Sequence, residues 1–203
     1  LGYLLPASYP LQCQASAAEM VSAMLDAFTQ QVTPDVSAAA RGRGLSLDDT
    51  VILASVVERE AVIRAEQPVI ASVFLNRLKA GLPLQADPTV QFAIANAKPP
   101  SGTGGWWKTD LTVADLRVDS PYNTYKHAGL PPGPIANPGR AALARSLGME
   151  SLRVEARVVW LCTHTTRRSP SVRSLMLAWS GADFRVTCPT AFARGSAGRR
   201  KAR

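Results

Sequence analysis

Hydrophobic and polar positions along this chain recur mostly with the 3.6-residue period of helices. Between Ala17 and Gln31, Met20, Met24, Leu25 and Phe28 repeat at helical spacing, and Ser16 stands where an N-cap would take up a free backbone N–H. A shorter helix is predicted over residues 36–41, stopped near Gly42 and Gly44. The best amphipathic segment is 47–65. Ser46 is its cap, and Asp48 and Asp49 lie in the first turn, where the helix dipole favours negative charge. Leu53, Val56, Val57, Glu60 and Ile63 then fall on one face. Another helix is predicted over 69–80, after Pro68, with Ile70, Val73, Phe74 and Leu78 as its buried stripe and Gly81 as its stop.

Outside these segments the pattern is weaker. Residues 1–15 read as extended or turn-rich, and 82–110 as loop-rich. Within the latter, 96–108 forms an excursion around Pro99-Pro100 and Trp106-Trp107. Thr109 or Asp110 caps a short helix through Leu116. Residues 119–136 crowd six prolines and glycines together, which predicts an ordered loop. Asn137-Pro138 reads as an N-cap followed by a first helical residue, opening a helix over about 138–147 that stops at Gly148. Val158-Val159-Trp160-Leu161-Cys162 reads as a strand. From Thr163 onward the periodicity dissolves into Arg, Ser and Thr.

At 203 residues and 46% hydrophobic, the chain suits one ordinary domain, or one domain with a tail. No stretch reaches the ~18 consecutive apolar residues of a membrane span, so the chain as given is expected to be soluble. It begins at Leu1 rather than Met, which leaves room for a segment upstream. The net charge of +8 is unevenly placed. Residues 1–150 hold 12 basic and 13 acidic side chains, whereas 151–203 hold 11 basic against Glu155 and Asp183. A basic tail can hold an anionic partner, but a solvated tail accounts for it as well. Cys13, Cys162 and Cys188 with His127 and His164 show no zinc spacing, and the cysteines read as small buried hydrophobes.

Three places could carry chemistry. Glu60 lies within the apolar stripe of its own helix, and a carboxyl on a buried face resists ionising, as a general acid requires. A structural carboxylate paired with an arginine is the competing reading; Arg59 and Arg64 are expected as surface partners. In 83–90, Pro88 biases Asp87 toward extended backbone, which would set Gln85 and Asp87 on one side. A turn whose Asp caps local backbone would look the same. The loop from Ser120 to Gly139 offers Tyr122, Asn123 and Tyr125, stacking faces and an amide suited to a sugar, on a proline-stiffened frame. A stiff connector without a ligand is the plain alternative. Trp106-Trp107 could stack on sugar rings or pack within its own loop.

Taken together, Val51-Ile52-Leu53-Ala54-Ser55-Val56-Val57-Glu58-Arg59-Glu60-Ala61, then Ile70-Ala71-Ser72-Val73-Phe74-Leu75-Asn76-Arg77-Leu78, then Leu84-Gln85-Ala86-Asp87-Pro88-Thr89-Val90, then the long loop, resemble the MltG (YceG-like) endolytic murein transglycosylases over about residues 2–148. Gly2-Tyr3-Leu4-Leu5-Pro6 is similar to the opening of that family's catalytic region. The resemblance implies cleavage of the β-1,4 bond between N-acetylmuramic acid and N-acetylglucosamine inside glycan strands, with 1,6-anhydro ends. It implies Glu60 as the acid/base and Gln85, Asp87, Tyr122, Asn123 and Tyr125 as glycan contacts. It implies no metal or organic cofactor, peptidoglycan strands and cell-wall synthases as partners, no nucleic acid, and a place at the outer face of the cytoplasmic membrane.

The expected fold is α+β, a helical core carrying the glutamate with a small sheet and an irregular C-terminal tail. Residues 1–160 form the catalytic domain and 161–203 a divergent basic tail. The family's membrane anchor and LysM-like region do not appear upstream, so the chain reads as a fragment. The tail lacks the family's closing strands and reads as a frame change or a divergence. Two other functions remain open from sequence: a peptidoglycan-binding relic without chemistry, and a nucleic-acid binder acting through the tail.

Overall fold

The computed structural model describes residues 1–10, 14–98 and 106–149. The predicted strand at 158–162, the whole 161–203 tail, all three cysteines and His164 lie outside the described residues. So does most of the excursion before Trp106. Among the described residues the fold is helical. Its elements are α1 (Ala17–Gln31), α2 (Pro34–Gly42), α3 (Leu47–Glu60), α4 (Gln67–Lys79), α5 (Asp87–Ala97) and α6 (Arg140–Ser146), with 3-10 turns at Arg64–Glu66 and Asp115–Arg117. The β pairing seen among these residues is two isolated bridges from Pro83, to Ala128 and Gly129, and no strand. The expected small sheet is therefore not part of the described fold. No helix among the described residues is long and apolar enough to cross a membrane.

The two serine caps act as the sequence requires. Ser16 and Ser46 each accept from the backbone N–H three residues on, and Glu19 and Asp49 reach back to the cap, closing two capping boxes. Thr33 caps α2, which starts at Pro34, two residues before the predicted 36.

The centre of the molecule is α3. Residues 50–57 are all buried, with Val51, Leu53, Ala54, Val56 and Val57 at 0% exposure. A helix buried on every face must be wrapped all round. One side meets Ala71 and Phe74 of α4, Ala86, Phe92 of α5 and Ile135; the other meets Leu5, Phe28, Ala142 and Leu143. Thr50 and Ser55 are buried within this apolar surround, and each satisfies its hydroxyl locally. Thr50 donates to the Ser46 carbonyl, and Ser55 donates to that of Ile52 while accepting from the Ile135 N–H, 3.0 Å away. That last bond ties the long loop to the helix across 80 residues.

The structure corrects several expectations. The helix predicted to run to residue 65 ends at Glu60, where Ala61 turns extended (ψ 112°), and Ile63 is 58% exposed instead of buried. Leu25 and Val73 lie at the exposed edges of their stripes. The region read as loop contains α5, with Pro88 in its first turn, where a missing N–H costs nothing. The short helix expected to end at Leu116 is instead the 3-10 turn at Asp115–Arg117. Asn137 is not a cap: Gly139 is, and α6 begins at Arg140.

The Asn137 side chain works at long range. Its Oδ1 accepts from the N–H of Gly2 at 2.6 Å and of Leu4 at 3.2 Å. Gly2 sits at φ +97°, and a Cβ there would fall 2.4 Å from Pro134 and 2.8 Å from Val51, so the N-terminal segment can lie this close only with glycine. Asn137→Ala should leave the buried Gly2 N–H unpaired. A loss of about 1–3 kcal/mol is expected, read as a lower urea midpoint.

Candidate active site

Glu60 is the last residue of α3, at the point where the buried helix reaches the surface. It is half-buried. Its Oε2 is fully buried and has no hydrogen-bond partner among the described residues. Burial pushes its carboxyl above the usual carboxylate range, and the negative charge of Asp87 pushes it further the same way. Arg59 is half-buried, with its guanidinium 4.1 Å from the centre of the Trp107 ring. Burial lowers its pKa, partly offset by Glu58.

Behind Glu60 the turn that ends α3 is braced from two other helices. Arg145 of α6 donates to the Arg64 carbonyl at 2.8 Å and to Gln67 Oε1 at 3.0 Å. Gln67, 2% exposed at the start of α4, turns its amide toward Glu58 Oε2 at 3.5 Å. Glu58 thereby serves the packing side of the helix end, leaving Glu60 as the carboxylate that faces α5.

The segment before α5 is held with unusual density. Arg77 donates to the Leu84 carbonyl, and the Gln85 N–H donates to the Thr124 carbonyl at 3.0 Å. Gln85 takes a left-handed backbone (φ 52°), a conformation that costs a non-glycine residue of order 1 kcal/mol and needs such anchors. Leu84 and Ala86 are buried while Gln85 and Asp87 are exposed. This is the expected separation of faces, reached through a left-handed turn at Gln85 and a helix start at Asp87 instead of an extended run.

Two buried threonines complete the joint. Thr89 Oγ1 gives its hydrogen to the Ala86 carbonyl at 2.7 Å. In the 2.8 Å contact between Thr89 and Thr124, Thr124 must therefore be the donor, since Thr89 has no second hydrogen. Thr124 Oγ1 accepts from the Ala86 N–H at 3.1 Å in turn. The next residue, Tyr125, donates its hydroxyl to Asp87 Oδ1 at 2.5 Å. Its phenol is pushed up to about 12, chiefly by burial, then by this hydrogen bond and by the charges of Asp87 and Glu60.

Of the predicted residues, the structure thus brings Glu60, Asp87 and Tyr125 into one electrostatic group, with Gln85 exposed beside Asp87. Tyr122 and Asn123 belong to the frame. The Tyr122 ring packs 4.8 Å from that of Phe92. Asn123 is fully buried; its Nδ2 donates to the carbonyls of Leu116 and Val118, and its Oδ1 accepts from the Tyr125 N–H. That leaves no part of the amide for a sugar. Trp107 likewise packs inward, on Phe92 and under Arg59, and Gln91 holds the Lys108 carbonyl at 2.7 Å. Trp106 is the exposed member of the pair. Sequence reading passed over Thr89, Thr124, Gln67, Arg77 and Arg145. The threonines stand inside quoted motifs, but nothing local signals that they pair across 35 residues.

The chain is thus a helical domain with a half-buried carboxyl at the end of its central helix. The family model for the YceG-like family matches residues 1–151, and the chain belongs to that family. It is 40% identical over 147 residues to the endolytic murein transglycosylase of Bacillus subtilis (strain 168), covering 72% of this chain and 38% of that protein. It is 33% identical over 146 residues to the protein of the same name from Streptococcus pneumoniae serotype 2, covering 72% and 25%. The crystal structure of a YceG-like protein from Listeria monocytogenes superposes with a TM-score of 0.61 at 36% identity, covering 74% of this chain and 46% of that one. The chain therefore spans between a quarter and a half of the length of these relatives.

Two measurements test this geometry. Thr124→Val keeps the shape but strips the buried Ala86 N–H of its acceptor, so a loss of about 1–3 kcal/mol is expected in denaturant unfolding. For Glu60 the sign follows from linkage. Its folded value lies above the ordinary 4.5, so ionising it costs stability as pH rises from 4.5 through the folded value. Glu60→Gln should then melt no lower than the parent at pH 8, with its advantage shrinking as pH falls toward 4.5.

Proposed function

We propose that the chain supplies the catalytic part of an endolytic murein transglycosylase, with Glu60 as acid and then base. The observation that carries this is the Glu60 carboxyl itself. It terminates a helix whose residues 50–57 are all buried, its Oε2 is unpartnered among the described residues, and burial and the Asp87 charge both favour its protonated form. A carboxyl so placed holds its proton more readily than an exposed one, as a general acid requires. The names of the relatives supply the substrate class: the glycan strands of murein.

The reaction needs one carboxyl and no water. Glu60 gives its proton to the oxygen linking N-acetylmuramic acid to N-acetylglucosamine, and the bond from that oxygen to C1 breaks with its electron pair on the leaving sugar. The oxocarbenium-like C1 is attacked by the C6 hydroxyl of the same residue, and the Glu60 carboxylate takes the hydroxyl proton. The ring closes as 1,6-anhydro-muramic acid and Glu60 returns to its starting form. A second carboxylate as nucleophile, required by most retaining glycosidases, is replaced by the sugar's own hydroxyl. Exposed Gln85, the Asp87–Tyr125 pair and exposed Trp106 offer polar and flat surfaces to a glycan strand. On this reading the protein works on strands outside the cytoplasmic membrane, beside the synthases that make them.

Mass spectrometry of uncrosslinked glycan strands after incubation with the chain tests the reading. Anhydro-ended fragments are expected, with a loss of at least 100-fold in Glu60→Gln, on the order of a general acid's usual contribution. Equal cleavage by both would move the chemistry off Glu60. Strand binding without cleavage by a folded chain would mark a binding protein instead.

A further inference from the structure

We infer that Gln85 is a specificity-determining residue: its side-chain amide pairs with an acetamido group of the glycan strand that lies across Glu60, and its left-handed turn presents that amide. The identity of the strand rests on the proposed function; what Gln85 adds is the chemical group that is read.

Gln85 puts a side chain where the backbone favours none. Among the described residues it is the one non-glycine with positive φ (52°). Two left-handed positions close by, Gly81 four residues earlier and Gly129, which is bridged to Pro83, have φ of 68° and 92°, and a Cβ on either would meet nothing within 4 Å. Glycine stands at those two for the backbone alone, and the same solution is open at 85. A glutamine held in this conformation carries a steric cost that Asn or Asp carries more lightly. Such a cost persists where the surroundings fix the backbone, and it collects at sites that bind or react.

The surroundings fix this turn from both sides. The Gln85 N–H donates to the Thr124 carbonyl at 3.0 Å, Arg77 donates to the Leu84 carbonyl, and the Ala86 N–H donates to Thr124 Oγ1 at 3.1 Å. Leu84 and Ala86 are 0% exposed and share one buried cluster with Val56 and Val57 of α3. Glu60 follows those two by four and three residues, which places it one turn further along the same face of the helix. The Gln85 turn therefore lies beside the end of α3 that carries Glu60. Between its two buried neighbours the Gln85 side chain is exposed, and it has no hydrogen-bond partner among the described residues. Nothing it does within the fold offsets its backbone.

Its chemistry matches one repeating feature of murein glycan. Each sugar of the strand carries an acetamido group, a neutral N–H donor beside a carbonyl acceptor. A carboxamide offers the complementary acceptor and donor on one plane. The neighbouring Asp87 carboxylate is no substitute: ionised, it only accepts, and its Oδ1 is already taken by the Tyr125 hydroxyl.

The test is calorimetric binding of uncrosslinked, peptide-free glycan strands to the full chain carrying Glu60→Gln, so that nothing turns over. Gln85→Ala removes the amide and keeps the left-handed backbone. It should weaken binding about tenfold, the loss of a neutral hydrogen-bonded pair. On strands chemically stripped of their N-acetyl groups, the chains with and without Gln85→Ala should bind alike. Gln85→Gly should lose as much binding as the alanine variant while unfolding at a higher urea concentration than it does, because glycine relieves the turn. Undiminished binding by Gln85→Ala would overturn the contact. An equal loss on deacetylated strands would overturn the acetamido assignment. Cleavage is read separately, with Glu60 intact. Binding that depends on Gln85 in a chain that cuts no glycan would retire the proposed chemistry and leave the contact standing. Cleavage of glycan with binding indifferent to Gln85 would do the reverse.

Discussion

A helix that is buried on all sides over eight consecutive residues, as α3 is from 50 to 57, dictates most of what surrounds it. It cannot be covered by a single neighbour, so α4, α5, α6, the N-terminal segment and the long loop all have to close on it. Its polar side chains have to be satisfied inside, which Thr50 and Ser55 do against backbone carbonyls and, for Ser55, against a loop 80 residues away. Past the first turn, with Asp48 and Asp49, ionisable side chains return only where the helix is about to end, at Glu58, Arg59 and Glu60. Each leaves the core in a different direction: Glu58 toward α4 and α6, Arg59 onto Trp107, Glu60 toward α5. A carboxyl at such a boundary is partly dehydrated, which favours its protonated form, and it still lies at the surface.

The two halves of the site are fastened by different physics. The half on α3 is set by apolar packing, which tolerates exchange of one aliphatic residue for another. The half formed by Gln85, Asp87 and Tyr125 is set by directional hydrogen bonds: the threonine pair, the Gln85 N–H, the Arg77 contact and the Asn123 amide. These allow little substitution, since each buried donor has one acceptor in reach. The close sequence similarity to the YceG-like relatives covers both halves within a segment that is only part of their length.

What could be read from sequence follows from how local each signal is. Both capping serines, the bounds of α1 and the position of Glu60 on a buried face depend on residues within two turns of one another, and they stand as read. Helix α5 escaped because Pro88 is as much at home in a first helical turn as in an extended strand, and the flanking loop residues tilted the reading. Asn137 looked like a cap because Asn-Pro is a cap signal, but its acceptor is claimed by the N–H groups of Gly2 and Leu4, more than 130 residues away. Asn123 looked like a sugar ligand because an exposed amide in a stiff loop would be one. Its burial, set by the loop's own carbonyls, is invisible until the loop is folded. The motif resemblance found the right neighbourhood; which side chains face outward within it was a matter of long-range pairing.

The Arg145 guanidinium reaches back to the Arg64 carbonyl and to Gln67, and so ties the penultimate residue of α6 to the turn just past Glu60. This makes α6 a strut whose far end is the turn that follows Glu60. Substitutions in α6 would reach the end of α3 both through Arg145 and through the packing of Ala142 and Leu143 on that helix. For anyone trimming or grafting this domain, the useful cut lies beyond Ser146, because removing the strut would loosen the far end while leaving every residue of the site in the sequence.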